Sequence, residues 1–291
     1  MTAQTSLFSY EEFTSRNIGF VSYEQQNDLA QACIFIPGVG GMGGSALESL
    51  ARMGVQKFII ADEDTFEISN LNRQVFCTLD SVGQLKTEAT KAKLLKINPQ
   101  IQVEIYDRAW VQHLDTILPK VDFVLNGCDD IKATIFLMRF AAKHKKTVID
   151  AFASTLPSVY VVRPQDPRPE KFLRFTSPGK SWEQIDAQVE NECRVRELEY
   201  VLSSSSSSKH VIWKYAKEVV SGKRKRFSLS PMVTTTGNLM AYEALKLILK
   251  MPTKVSYRGV FFNPWSLDVE KPSVLLPFRR WLVRFAMRKL N

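Results

Sequence analysis

Between residues 33 and 86 the chain carries side chains whose types and order suit phosphate chemistry. The run "PGVGGMGG" sets Gly38, Gly40 and Gly43 in a G-x-G-x-x-G pattern, with Gly41 inside it, after an apolar stretch and before a helical one. Glycines there permit a tight turn and let phosphate oxygens approach backbone N–H groups at a helix N-terminus. Taken alone, the turn suits a dinucleotide as well as a triphosphate. Asp62, the acid about 20 residues on, would serve the ribose hydroxyls of either. The following loop, "ADEDTFEISNLNRQVF", separates the two readings, because a dinucleotide site needs little there beyond its one acid. It supplies Asp64, Asn70, Arg73 and Gln74, and Lys86 follows in "VGQLK". Two cations and an amide placed after a glycine turn match the charge of a triphosphate.

Each of these residues also has a plainer role open to it. Asp62 can be a turn acid at a strand end, and Asp129 and Asp130 can cap the helix that follows them. Arg73 can pair with Glu67, and Lys86 can be a solvated first-turn lysine. What favours the chemical reading is the joint order of the motifs within a strand–turn–helix context.

The elements that must position them follow from hydrophobic period. Strands are expected over 33–36, 57–61, 101–106, 121–125 and 147–150, and helices over 43–53, about 85–96 and 131–143. Strands alternating with helices predict βαβ units, hence an α/β Rossmann-like fold with a mostly parallel sheet and helices on both faces. Beyond residue 163 the pattern weakens: "RPQDPRPEKF" is broken by proline, and residues 203–208 are six serines. The expected plan is a helical N-terminal arm (1–30), a nucleotide-binding domain (31–162), a crossover or insertion segment that is partly mobile (163–230), and a returning helix, strand and basic tail (231–291) that complete the same domain.

Hydrophobic residues form 45% of the 291, enough for a sizeable core. There is no uninterrupted apolar run of about 18 residues, as a spanning helix requires. The first 15 residues lack the basic-then-apolar order of a secretory signal, so a cytoplasmic protein is expected. Cys33, Cys77, Cys128 and Cys193 are scattered, and His113, His144 and His210 are isolated, so neither a zinc clip nor disulfides are expected. The net charge of +9 concentrates at residues 223–226 ("KRKR") and in the tail "FRRWLVRFAMRKL". It suits nucleic acid, an anionic membrane, an acidic partner, or simply a solvated surface. In the tail, Phe278, Trp281, Leu282 and Phe285 share one helical face and Arg280, Arg284 and Arg288 another. Such a helix can lie on a membrane surface, dock on a partner, or pack on its own body.

"GVGGMGG", "DEDTFEISNLNRQ", "VGQLK" and "NGCDD", in this order, resemble the ThiF/MoeB/ubiquitin-activating (E1-like) adenylyltransferase superfamily over about 16–151 and again over 230–250. The resemblance implies ATP with Mg2+, attack of a substrate carboxylate on the α-phosphorus, and release of pyrophosphate from an acyl-adenylate. It implies that Asp62 binds ribose, that Asn70, Arg73 and Lys86 hold phosphates with Gln74 supporting the loop, and that Asp129 coordinates magnesium. Arg16, in "FTSRN", would reach the triphosphate of the partner in a homodimer. The implied acceptor is a small protein or peptide with a free C-terminal carboxylate, such as a ubiquitin-like or sulfur-carrier protein. A threonylcarbamoyl-adenosine dehydratase acting on tRNA is a second member of the superfamily that fits, and a non-catalytic partner subunit is a third reading. The chain departs from the family pattern at Gly44, where serine is common, at Asp130, where asparagine is usual, and at Thr134, which replaces an arginine. It also lacks the paired Cys-x-x-Cys clips of many sulfur-carrier activators. Cys193 lies where relatives carry a thioester- or persulfide-forming cysteine.

Overall fold

The computed structural model describes residues 8–106, 109–220, 223–273 and 275–288. Two short helices, α1 (Tyr10–Thr14) and α2 (Tyr23–Gln31), lead into β1 (Cys33–Pro37), α3 (Gly41–Arg52) and β2 (Lys57–Ala61). Next come α4 (Lys86–Ile97), β3 (Gln102–Tyr106), α5 (Leu114–Ile117), β4 (Phe123–Leu125), α6 (Ile131–Lys143), β5 (Val148–Asp150) and β6 (Ser158–Val162). The chain continues with α7 (Ala187–Ser204), α8 (Trp213–Val220), α9 (Ser230–Ile248), β7 (Val260–Asn263), β8 (Asp268–Glu270) and α10 (Leu276–Arg288).

The strands form one sheet in the order β3-β2-β1-β4-β5-β6-β7-β8. The first five pair in parallel, and β6, β7 and β8 extend the sheet antiparallel. Both faces of the parallel half are covered, which is why β1 reads as a continuous apolar run and not an alternating one. Ile34 and Ile36 pack with Leu47, Leu50 and Met240 on one side, while Phe35 packs with Trp110, Val124 and Leu137 on the other. Chain order reverses between β1 and β4, and crevices at such switch points, beyond the carboxyl ends of the strands, are where ligands bind in open α/β sheets.

Helix α9 lies against α3 with no room for a side chain at the crossing: a Cβ on Gly237 would stand 2.6 Å from both Met42 O and Ser45 Cβ. This close approach fixes the N-terminal half of α3, the half that follows the glycine turn.

One expectation needs correction here, and one open alternative is decided. The serine run packs well: Ser203, Ser204, Ser205 and Ser207 are buried. Two of these hydroxyls are satisfied within the helix end, Ser203 Oγ donating to Glu199 O (2.7 Å) and Ser205 Oγ to Val201 O (2.9 Å), so a polar run ends α7 inside the body. The tail helix also lies on its own body, and it does so with the arginine face. Arg280 is buried against the carbonyls of Phe172 and Leu173, and Arg284 Nε donates to Glu199 Oε2 (2.7 Å). Phe278, Trp281 and Leu282 are exposed in consequence. The side chains of Phe285 and Arg288 lie outside the described residues.

Candidate nucleotide site

The glycine turn connects β1 to α3 at the switch point, and its glycines answer to a neighbouring loop. Gly38 has φ +81°, and a Cβ there would meet the Gly127 carbonyl carbon at 2.4 Å. A Cβ on Gly43 would meet Gly38 O at 1.9 Å. The loops leaving β1 and β4 are thus in backbone contact, and Gly127 N–H donates to Pro37 O (2.8 Å). "NGCDD" contained this signal, but in the sequence only its acids stood out. Gly127 is the residue that reading missed.

Asp62, at the end of β2, staples the turn to the sheet: Oδ2 accepts from Val39 N–H (3.0 Å) and Oδ1 from Asp64 N–H (3.1 Å). Its carboxyl is pushed above the ordinary range by burial, with Lys86 pulling the other way. A carboxylate has about four lone-pair sites, so acceptor capacity for hydroxyls remains. Lys86 begins α4, is itself buried, and sends Nζ to Asp64 Oδ2 (2.7 Å), with Asp62 Oδ1 at 3.9 Å. It is therefore a held cation and not a solvated surface lysine. Asn70 is buried in the loop, its Oδ1 accepting from Glu67 N–H (3.0 Å) while its carbonyl accepts from Arg73 and Gln74.

Arg73 does not pair with Glu67. Its Nη1 donates to Ser69 O (2.9 Å) and Asn72 Oδ1 (2.8 Å), whereas Glu67 faces Lys225 at 3.4 Å. Lys225 and the 3.2 Å bond from Asn72 Nδ2 to Ser228 O lay the basic run of the crossover segment beside this loop. Gln74 is buried next to Gly40, whose Cβ would stand 3.4 Å from Gln74 Nε2, and Gln74 Oε1 has no hydrogen-bond partner. Gly41 faces Val233 of α9.

Asp129 is exposed on the turn after β4. Asp130 caps α6, Oδ1 accepting from Lys132 N–H (2.8 Å) and Ala133 N–H (3.0 Å), so its plainer role holds. Among the described residues no group of three or more His, Cys, Asp or Glu could hold a metal ion. Asp129 could serve Mg2+ only as one ligand beside phosphate oxygens, a mode ordinary for that ion. Arg16 is exposed on a 3-10 turn (Ser15–Asn17) at the start of the chain, apart from this cluster in sequence.

Cys193 is fully buried on α7, its sulfur 3.9 Å from Thr176 Oγ1. In this conformation it cannot meet an acceptor, and the polar sequence around it gave no sign of that because α7 buries only one face. Cys193→Ser should accordingly leave the fold intact, and Cys193 should react with a maleimide only as fast as the protein unfolds. Rapid labelling of Cys193 in the native protein would overturn this.

Behind the β4 loop lies a polar network that sequence reasoning missed. Asp150, wholly buried at the end of β5, accepts from Asn126 Nδ2 (3.0 Å) and Tyr160 OH (2.6 Å). Asn126 Nδ2 also reaches Thr134 Oγ1 (3.2 Å), the residue standing where the family carries an arginine. Burial pushes the Asp150 carboxyl up from 3.8 to about 7. Between those values the folded chain holds a proton that the unfolded chain has released, so this group lowers stability as pH rises, by about 1.4 kcal/mol per unit. Above about pH 7 its contribution is level. Asp150→Asn should remove that slope, and urea midpoints of wild type and variant compared from pH 4.5 to 8 will show it.

The whole arrangement is matched by the ThiF family model over residues 14–278, and the chain belongs to that family. Among curated relatives, it is 32% identical over 145 residues to the tRNA threonylcarbamoyladenosine dehydratase of Bacillus subtilis, a match covering 48% of this chain and 56% of that protein. It is 34% identical over 134 residues to the probable molybdopterin-synthase adenylyltransferase of Porphyra purpurea, covering 44% and 35%. The matched region thus spans only about a third to a half of these relatives. Of solved structures, E. coli MccB with AMPCPP and MccA superposes with a TM-score of 0.62 at 19% identity, covering 94% of this chain and 74% of that one, and shows the common fold.

Proposed function

We propose that this chain is an ATP-dependent adenylyltransferase that activates a carboxylate at the C-terminus of a small protein or peptide. The observation that carries the reading is the grouping of the Gly38 turn, Asp62, Lys86 and the Gln74 side chain at the switch point of the sheet. The carboxylate attacks the α-phosphorus of ATP, the bond to the bridging oxygen breaks, and pyrophosphate leaves. That step needs positioning and positive charge more than a protein nucleophile. In this reading the turn's N–H groups and Arg73 bind phosphate oxygens, and Asp62 accepts from the ribose. Lys86 exchanges the exposed carboxylate of Asp64 for phosphate as ATP enters. The unpaired Gln74 Oε1 beside Gly40 leaves an acceptor for the same ligand. Mg2+ at Asp129 would add charge neutralisation, and Arg16 would serve the triphosphate of a second copy. Such a role has parallels in the related molybdopterin-synthase adenylyltransferase and in MccB, whose structure holds AMPCPP together with MccA.

ATP–pyrophosphate exchange with purified protein, Mg2+ and candidate acceptors (peptides ending in Gly-Gly, peptides ending in asparagine, and tRNA) tests it. Exchange that depends on a peptide acceptor is the expected result. Exchange that responds to tRNA alone would transfer the chain to the dehydratase branch, and absence of ATP binding would sink the enzyme reading.

A further inference from the structure

Away from the glycine turn, the segment Glu170–Arg174 and α10 line a half-open cavity of about 340 Å³. Its lining includes Phe172, Arg174, Arg280, Trp281 and Arg284, and none of its residues belongs to the candidate nucleotide site. Three arginines line it, and no carboxylate is among the lining residues. The nearest compensating acid, Glu199, is buried and already shared, accepting from Arg284 Nε at 2.7 Å and Arg196 Nη1 at 3.3 Å.

Arg280 is the unusual member. It is only 8% exposed, each Nη gives one of its two N–H donors to a carbonyl, of Phe172 (3.4 Å) and of Leu173 (3.1 Å), and its guanidinium carbon lies 5.4 Å from the Tyr200 ring centroid. Its Nε is buried with no hydrogen-bond partner. Leaving a buried donor on a cation unmet is unfavourable. Burial, Arg174 and Arg284 all disfavour its charge. Arg174 itself stands at φ +63°, a left-handed conformation that non-glycine residues rarely adopt. Concentrated positive charge without an acid in the lining is what an anionic ligand would relieve.

The volume and the walls narrow the ligand. About 300–1,000 Å³ is usual for small-molecule sites, and Phe172 and Trp281 offer ring faces beside the cations. Three arginines exceed what one carboxylate needs and suit a phosphate dianion. We propose that this cavity is a second nucleotide site, taking a nucleoside monophosphate with its phosphate on Arg174, Arg280 and Arg284 and its base against the aromatic wall.

Equilibrium dialysis of labelled AMP against the full chain tests it, using Arg73→Ala to weaken the glycine-turn site. AMP should still bind Arg73→Ala, and adding Arg174→Gln, or Arg174→Gln with Arg284→Gln, should weaken that binding at least tenfold. The single substitution carries the test by itself, because the Arg174 side chain is exposed and its loss should leave the fold and ATP–pyrophosphate exchange unchanged. Inorganic phosphate and adenosine should each compete at least tenfold more weakly than AMP. The proposal is overturned if AMP fails to bind Arg73→Ala, if binding survives loss of Arg174 and Arg284, or if inorganic phosphate competes as well as AMP, which would mark a free-oxyanion site.

Discussion

Arg73→Ala is expected to lower ATP–pyrophosphate exchange by about 10²–10³-fold while leaving the folded protein intact. The guanidinium is half-buried and held by two acceptors, Ser69 O and Asn72 Oδ1, both on its own loop. Those bonds use Nη1 and leave further donors of its planar fork for a phosphate. No carboxylate lies within ion-pairing distance of it among the described residues, so its removal strands no buried charge. The stability cost should stay within about 1 kcal/mol, the usual size for the loss of a partly exposed hydrogen bond. Arg73→Lys should not restore the rate, because a point charge cannot reproduce the fork. Lys86→Ala makes an informative contrast. It would remove the one cation beside Asp62 and Asp64, so melting temperature and exchange should fall together. Exchange kinetics with a parallel thermal melt separate these outcomes. An Arg73→Ala protein with undiminished exchange would remove Arg73 from the chemistry.

The parallel half of the sheet and its helices could be read from the sequence because their apolar periods are set by burial on both faces. β2 (Lys57–Ala61) and α6 (Ile131–Lys143) fall where the pattern places them. The polar loop after β2 stands out for a different reason: its polar residues have no role in packing a strand, so their density is a signal. What stayed hidden depends on contacts distant in sequence. The short strands β6 and β8 gain their identity from pairing with β5 and β7. Helix α7 has polar residues round most of its circumference, and its serine end is buried only because α7 meets Glu270 and Ser154 from other elements. The tail helix shows the limit most clearly. Its sequence left the buried face open, and Glu199, the Tyr200 ring and the carbonyls of Phe172 and Leu173 draw in the arginine face. Asp150 looked like the last residue of a strand, and its partners Asn126 and Tyr160 come from β4's loop and β6.

Gly38→Ala should be the most damaging single-methyl addition near the site. At φ +81° an alanine pays about 1–2 kcal/mol for its backbone alone. Its Cβ would then stand 2.4–2.5 Å from the carbonyl carbon and oxygen of Gly127 and from Cys128 N, all of them backbone atoms that cannot rotate away. Relieving that overlap means parting the β1 and β4 loops, at a further cost of about 1–3 kcal/mol by analogy with overpacked cores. The sum, about 2–5 kcal/mol, is a large share of a typical folding free energy of about 5–15 kcal/mol. Parting the loops would also separate the turn's N–H groups from Asp129 and break the 2.8 Å bond from Gly127 N–H to Pro37 O. ATP binding should therefore be lost even below the melting temperature. Gly83→Ala supplies the control, since Gly83 has nearly the same backbone (φ +86°) with nothing within 4 Å of its Cβ. It should cost only the conformational term of about 1–2 kcal/mol and leave ATP binding unchanged. Chemical denaturation of the two variants side by side isolates the steric part. Equal losses would mean that the contact between Gly38 and Gly127 does not hold the two loops together.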